Sequence, residues 1–215
     1  LNKLLNGWMD ISSTKQGLRV CQGERAPCGR RQTAHLHCRW PLGAHGACLQ
    51  FAMWAERAGL RPEKERAGLL LPQAPGDLAS GRRRPADVYL PALAGSPAAL
   101  DFAVTAPQRQ ETLALAGQQT GAAAAAYARH KESFLNTAQT CEDAGVVFVP
   151  MVVESTGEWD SGAAIVLKHI ARAVAARQGE EPGPLHAALL QELCVTVRSY
   201  RARAALRRRS ELAEA

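Results

Sequence analysis

The chain has 215 residues, room for one domain of ordinary size with an appendage, and enough to build a core without disulfide staples. It is 47% hydrophobic but 5% aromatic, and its net charge of +6 is uneven: Arg82 to Arg84 and Arg198 to Arg209 together hold nine arginines and no acid. No run of eighteen apolar residues exists, and Leu1 to Asp10 lacks the basic and apolar regions of a signal peptide, so membrane-spanning and secreted classes are set aside. A nuclear or cytoplasmic setting and a polyanionic partner, DNA or RNA, are expected.

Residues 1–20 have no clear period, and the opening without methionine reads as a piece of something longer. Four of the six cysteines crowd into Cys21 to Cys48 with His35, His37 and His45. The spacing Cys21-x6-Cys28-x6-His35-x2-Cys38 offers four N/S ligands for a tetrahedral Zn²⁺ site, which would let a small polar segment fold without a core. A cysteine-rich linker or a decayed finger is the alternative, because the first interval is wider than usual. The remaining cysteines, Cys141 and Cys194, lie in apolar helical patterns and are expected to be buried thiols.

From His45 to Gly59 the stripe Cys48, Phe51, Ala52, Ala55 and Ala58 predicts a helix stopped by Gly59. Leu60 to Leu71 reads as a first strand containing Glu65, and Pro72 to Gly81 as a turn-rich loop. Two runs then alternate as strands do, one from Arg82 to Pro91 and one from Ala99 to Thr105, joined by a connector with Gly95, Ser96 and Pro97. Each carries one aspartate among apolar neighbours. If they pair, Asp87 and Asp101 lie side by side behind Arg82, Arg83 and Arg84, a layout suited to a divalent metal acting on phosphodiesters. The plainer alternative puts one or both aspartates in solvent or a turn.

A long helical region, Glu111 to Ala144, is expected to break at Gly117 or Gly121. In its second half Tyr127, Lys131, Phe134, Ala138 and Cys141 share a face, so a lysine sits in the stripe that should meet the core. Such a lysine snorkels to the surface, or, beside two carboxylates, steadies an attacking water or the charge on phosphorus. Gly145 to Glu154 is the most strand-like segment and reads as buried on both faces. A helix over Ala163 to Gln178, a Pro/Gly-rich linker over Gly179 to Pro184 and a helix from Leu185 to about Glu214 close the chain, the last becoming strongly basic. The expected domains are 1–43 with the Cys/His segment, 44–178 as an α/β core, and 179–215 as linker and basic helix.

The order helix, three strands, helix, strand, helix predicts a mixed central sheet flanked by helices. With Asp87, Asp101 and Lys131 placed on it, this order resembles the PD-(D/E)xK nuclease superfamily. More narrowly, it resembles the restriction-endonuclease-like C-terminal region of non-LTR retrotransposon polyproteins, where a Cys/His knuckle precedes an Arg/Lys-Pro-Asp motif. The match rests on Arg84-Pro85-Ala86-Asp87, on Leu100-Asp101-Phe102-Ala103-Val104, on the Tyr127 to Lys131 helix, on Phe148 to Glu154 and on the closing Leu190 to Arg208. It covers about residues 21–209. Ala86 separates the proline from the first acid, and Ala103 stands where the superfamily has its lysine.

The resemblance implies a DNA endonuclease that nicks with Mg²⁺ or Mn²⁺ held by Asp87 and Asp101. It gives Lys131 the missing lysine's role, Glu65 that of an extra acid, and Arg82, Arg83, Arg84, Arg201, Arg203, Arg207 and Arg208 that of holding the DNA backbone. It also implies that the module belongs to, or descends from, a larger reverse-transcriptase polyprotein. A second class of function is a catalytically inactive nucleic-acid-binding remnant that uses the Cys/His segment and the arginine tail. A third reading, an unfolded translation product, draws on the run Ala122 to Ala126.

Overall fold

The stripe predicted around Phe51 forms helix α1, Leu42–Arg57, with Ala47, Cys48, Phe51, Ala52, Trp54 and Ala55 all buried. It ends as its glycine dictates. Gly59 takes φ +76°, and the Leu60 and Gly59 amides donate back to the carbonyls of Ala55 and Glu56 at 3.0 and 2.9 Å. The computed structural model describes residues 42–70 and 85–213. The predicted zinc ligands Cys21, Cys28, His35 and Cys38, and Arg82, Arg83 and Arg84, lie outside the described residues.

The expected long strand from Leu60 to Leu71 is corrected. Among its described residues, 60–70, only β1, Glu63–Lys64, is extended and paired. Arg61 (φ +49°), Glu65 (φ +48°) and Gly68 (φ +71°) turn the backbone left-handed on either side of it, which no extended strand survives. Leu69 and Leu70 are buried all the same, packed on Ala86, Tyr89 and Phe148. Hydrophobicity marked them as core without making them a strand.

Strands β2, Val88–Leu93, and β3, Ser96–Thr105, form an antiparallel hairpin. Its turn is tighter than the connector expected: Ala94 (φ +50°) and Gly95 (φ +89°) make the whole reversal, while Ser96 and Pro97 already belong to β3. The register slips by one residue between Leu90 and Leu93, a bulge where Pro91 has no N–H to give the ladder. Strand β4, Val147–Glu154, pairs parallel to β3 from Ala98↔Val147 to Thr105↔Glu154. The sheet therefore runs β1-β2-β3-β4 with two antiparallel pairs and one parallel pair, a mixed sheet in an α/β protein.

The region between β3 and β4 is broken more often than its composition suggests. It holds α2, Leu113–Ala116, α3, Ala122–Ser133, a 3-10 turn over Phe134–Asn136, and α4, Thr137–Asp143. Leu135 and Asn136 adopt φ +51° and +54°, so the stripe expected to run from Tyr127 to Cys141 ends at Phe134, which is exposed. The alanine run at the start of α3 has a structural use. Ala124 and Ala128 are small enough for the helix to lie close on Ala103 and Val152 of the sheet.

Side chains alternate across β3, as the two-residue period requires. Asp101 and Ala103 face α3, whereas Phe102 faces α1, its ring 5.2 Å from that of Phe51. Helix α5, Ser161–Gln178, joins α1 on that second face and buries Val166, Leu167, Ile170 and Val174. The last helix, α6, Pro182–Ala213, packs on α1 and α5 through Leu185, Leu189, Leu193 and Val197. All described residues belong to one compact unit, Trp40–Ala215. Among them, no helix is long and apolar enough to cross a membrane.

Candidate active site

Pairing β2 with β3 puts Val88 opposite Leu100, and one step further along the ladder Asp87 comes opposite Asp101. Regular pairing stops there, and Asp87 closes the end of the ladder with its side chain. Its N–H donates to the Leu100 carbonyl at 2.9 Å, and its carboxylate accepts the Phe102 N–H at 2.5 Å. A backbone donor that the fading strand would leave unmet is thereby satisfied.

From the other side, α3 delivers Lys131. Its Nζ lies 2.5 Å from Oδ2 of Asp101, with the two side chains only 18% and 23% exposed. The lysine did not snorkel away; it entered the carboxylate pair. Burial, and then the like charge of Asp101, push the Asp87 carboxyl up to about 9, with the Phe102 N–H and the Lys131 ammonium pulling the other way. Two carboxyls in hydrogen-bond contact, with one lysine on Asp101, are relieved of their repulsion by a proton on Asp87 or by a further cation.

Glu65 sits on the next strand position, and its N–H donates to the Asp87 carbonyl at 3.0 Å, so Glu65, Asp87 and Asp101 form one row across three neighbouring segments. Asp101, Lys131 and the Phe102 N–H are the neighbours that set the ionisation of Asp87, and Glu65 is not among them. Among the described residues, no group of three or more His, Cys, Asp or Glu side chains gathers as a metal cluster. The donor set is thus two hard carboxylate oxygens on adjacent strands. This suits Mg²⁺, which takes one or two carboxylates and leaves its other positions to water and phosphate oxygens.

One residue that the sequence reasoning missed holds this arrangement. Glu154, at the end of β4 and 3% exposed, accepts the N–H groups of Ala123 and Ala124 at 3.0 and 3.3 Å, and the Thr156 hydroxyl at 3.1 Å. Helix α3 opens on Gly121 with no side-chain cap of its own, so its first N–H groups need an acceptor from elsewhere. That uncapped Gly-Ala-Ala-Ala start and an acid closing an apolar run were the available signals. The spacing fits at both ends. Ala123 to Lys131 spans about 12 Å of helix, and Asp101 to Thr105, which pairs with Glu154, spans about 13 Å of strand. Helix α3 is pinned to the sheet by a carboxylate at each end.

The arginines of α6 divide into two sets. Arg201 donates to the Ser155 carbonyl at 3.3 Å and Arg198 to that of Thr156 at 3.1 Å, so both fasten the loop after β4. Arg203 lies over the Tyr200 ring at 5.7 Å, and Arg207 and Arg208 stand exposed beyond the core-packing part of the helix. Of the two thiols expected in the core, Cys141 is fully buried. Cys194 is corrected to half-buried, because its turn of α6 rests against the Gly157 loop, where its Sγ is 3.9 Å from the Gly157 carbonyl.

Compared with protein-family models, with curated proteins and with solved structures, the chain matches none.

Proposed function

We propose that the chain is a metal-dependent phosphodiester hydrolase, a DNA-nicking module of the PD-(D/E)xK type related to the endonuclease region of retrotransposon polyproteins. The observation that carries this reading is the meeting of Asp87, Asp101 and Lys131 at the end of one hairpin. The element order, a helix and three strands before the crossover and a parallel strand after it, supports the same reading.

Asp87 and Asp101 would hold Mg²⁺ or Mn²⁺, whose chemistry when bound is to polarise the scissile phosphate and acidify a water. The protein's own part is positional. Asp87 is fixed by the Phe102 N–H and Asp101 by Lys131, so the two carboxylates are preorganised on a rigid hairpin. Lys131 replaces the lysine that Ala103 lacks: its ammonium, within reach of Asp101, orients a water or offsets charge developing on the phosphate. Arg207 and Arg208 add salt-sensitive backbone contacts.

Nicking of supercoiled plasmid by the full chain in Mg²⁺ tests this. Asp87→Asn, Asp101→Asn and Lys131→Met should each lower the rate by at least about 100-fold, the scale of losing a preorganised charge, and chelation should abolish it. Nicking that survives all three substitutions overturns the assignment. A second reading, an inactive nucleic-acid-binding remnant, is favoured by Ala103 and by the exposed arginines of α6. It predicts salt-sensitive DNA binding, no cutting, and indifference to the aspartate substitutions.

A further inference from the structure

Helix α3 carries a second feature beside Lys131. Tyr127, His130 and Phe134 follow one another at helical spacing, and their rings form a continuous ladder, with centroids 5.9 Å apart from Tyr127 to His130 and 5.8 Å from His130 to Phe134. The ladder begins at the edge of the core and ends in solvent, where Phe134 is 44% exposed and Leu135 is 63% exposed. Immediately beyond Phe134 the chain makes two consecutive left-handed residues, Leu135 and Asn136, neither of them glycine. A leucine in that conformation is strained, and strain of this kind persists only where the surrounding structure holds it. Its consequence is to end the helix with an aromatic ring turned outward rather than folded into the core.

The position of the ladder gives it meaning. Phe134 lies three residues, about 4.5 Å of helix rise, beyond Lys131, whose ammonium is on Asp101. The Lys131 ammonium itself lies 5.8 Å from the centroid of the Tyr127 ring, so a cation stands beside the ladder. Aromatic faces beside cations are what a nucleic acid with uncovered bases stacks upon, and such stacking tolerates any sequence because every base has a π-face. Intact duplex keeps its base faces covered. We propose that the Tyr127, His130 and Phe134 ladder is a stacking platform for unpaired nucleobases, so that the substrate of the adjacent carboxylate site contains a single-stranded segment. This rests on the hydrolase reading for its second half and on the ladder alone for its first.

Binding is measured with the full chain in chelator, so that nothing is cut. Labelled oligothymidine and oligouridine of about 15 nucleotides are compared with a duplex of equal length by fluorescence anisotropy. Phe134→Ala, a change at an exposed site, should weaken single-strand binding by about tenfold and duplex binding by less than about twofold. Phe134→Trp should retain single-strand affinity and show fluorescence quenched by added oligothymidine. Loss with both oligonucleotides assigns the platform to base chemistry shared by DNA and RNA, and loss with one assigns it to that sugar. Single-strand affinity unchanged in Phe134→Ala, or an equal fall with duplex, overturns the proposal and turns the exposed pair toward a protein partner. Stacking without plasmid nicking by the parent chain leaves the platform standing and removes the hydrolase; nicking with indifference at Phe134 does the reverse.

Discussion

The carboxylate of Glu154 accepts the N–H of Ala123 at 3.0 Å, so the end of a parallel strand caps the start of the helix that brings Lys131 to Asp101. A buried charge here satisfies two orphan amides and meets the positive end of the helix dipole. Glu154→Ala leaves those donors unmet and should cost about 2–3 kcal/mol in urea unfolding, whereas Glu154→Gln, which keeps an acceptor, should cost about 1 kcal/mol. Equal stability of the two variants would show that α3 finds its register without the cap.

Asp87 predicts a pH dependence of unusual sign for a carboxyl. Its pKa in the fold is pushed up to about 9, from 3.8, by burial and by Asp101. Between those values the unfolded chain binds fewer protons at this position than the folded one, so stability falls as pH rises from about 4 to 9. Melting of the metal-free protein should show this decline, and Asp87→Asn should flatten it. Added Mg²⁺ should raise the melting temperature of the parent most at the alkaline end, where the carboxylate pair most needs a cation, and should do nothing for Asp87→Asn. A flat profile in the parent, or an equal Mg²⁺ response in the variant, contradicts the two-carboxylate site.

Much of this site was legible because its parts are local. Two short alternating runs with a glycine between them specify a hairpin, which brings the two aspartates to one end of it, and the one-residue slip between Leu90 and Leu93 then sets Asp87 against Asp101. Lys131 was visible as a misfit on an apolar stripe. Glu154 was not, because its role depends on the parallel register Thr105↔Glu154 and on a helix start some 30 residues earlier in the chain. Leu60 to Leu71 misled for the opposite reason. Apolar content located buried residues, and although Pro62 and Gly68 mark breaks near the ends of that segment, the left-handed backbone at Glu65 has no glycine or proline beside it to announce it. The break at Leu135 and Asn136 was hidden in the same way.

The interface of α1 with α6 predicts a change of sign. Gly46 lies where a Cβ would sit 2.6 Å from Cδ2 of Tyr200 and 2.9 Å from Cγ2 of Thr196. Gly46→Ala gains about 1 kcal/mol of helix propensity, but should be destabilising by about 1 kcal/mol net, because overpacking costs about 1–3 kcal/mol. In a background with Tyr200→Ala and Thr196→Ser, where the helices no longer meet at that point, the same Gly46→Ala should be stabilising. Denaturant titration of the four proteins forms the cycle, and a stabilising effect in both backgrounds would mean that α6 does not approach α1 so closely.

The arginines of α6 separate by what each touches. Arg207 and Arg208 are exposed on the part of the helix that leaves the core, whereas Arg201 donates to the Ser155 carbonyl at 3.3 Å, beside the end of β4. Phosphate contacts release counterions, so each arginine engaged on DNA contributes about one to the slope of log affinity against log salt. Replacing Arg207 and Arg208 with alanine should therefore lower the slope by about two and weaken duplex and single-strand binding alike. Arg201→Ala should change the slope by less than half as much per residue. Its effect should appear instead as about 1 kcal/mol of lost stability, the worth of one hydrogen bond made by a charged donor at a partly exposed site. A full slope change at Arg201 with no loss of stability would place the DNA path across the Ser155 loop rather than along the end of α6.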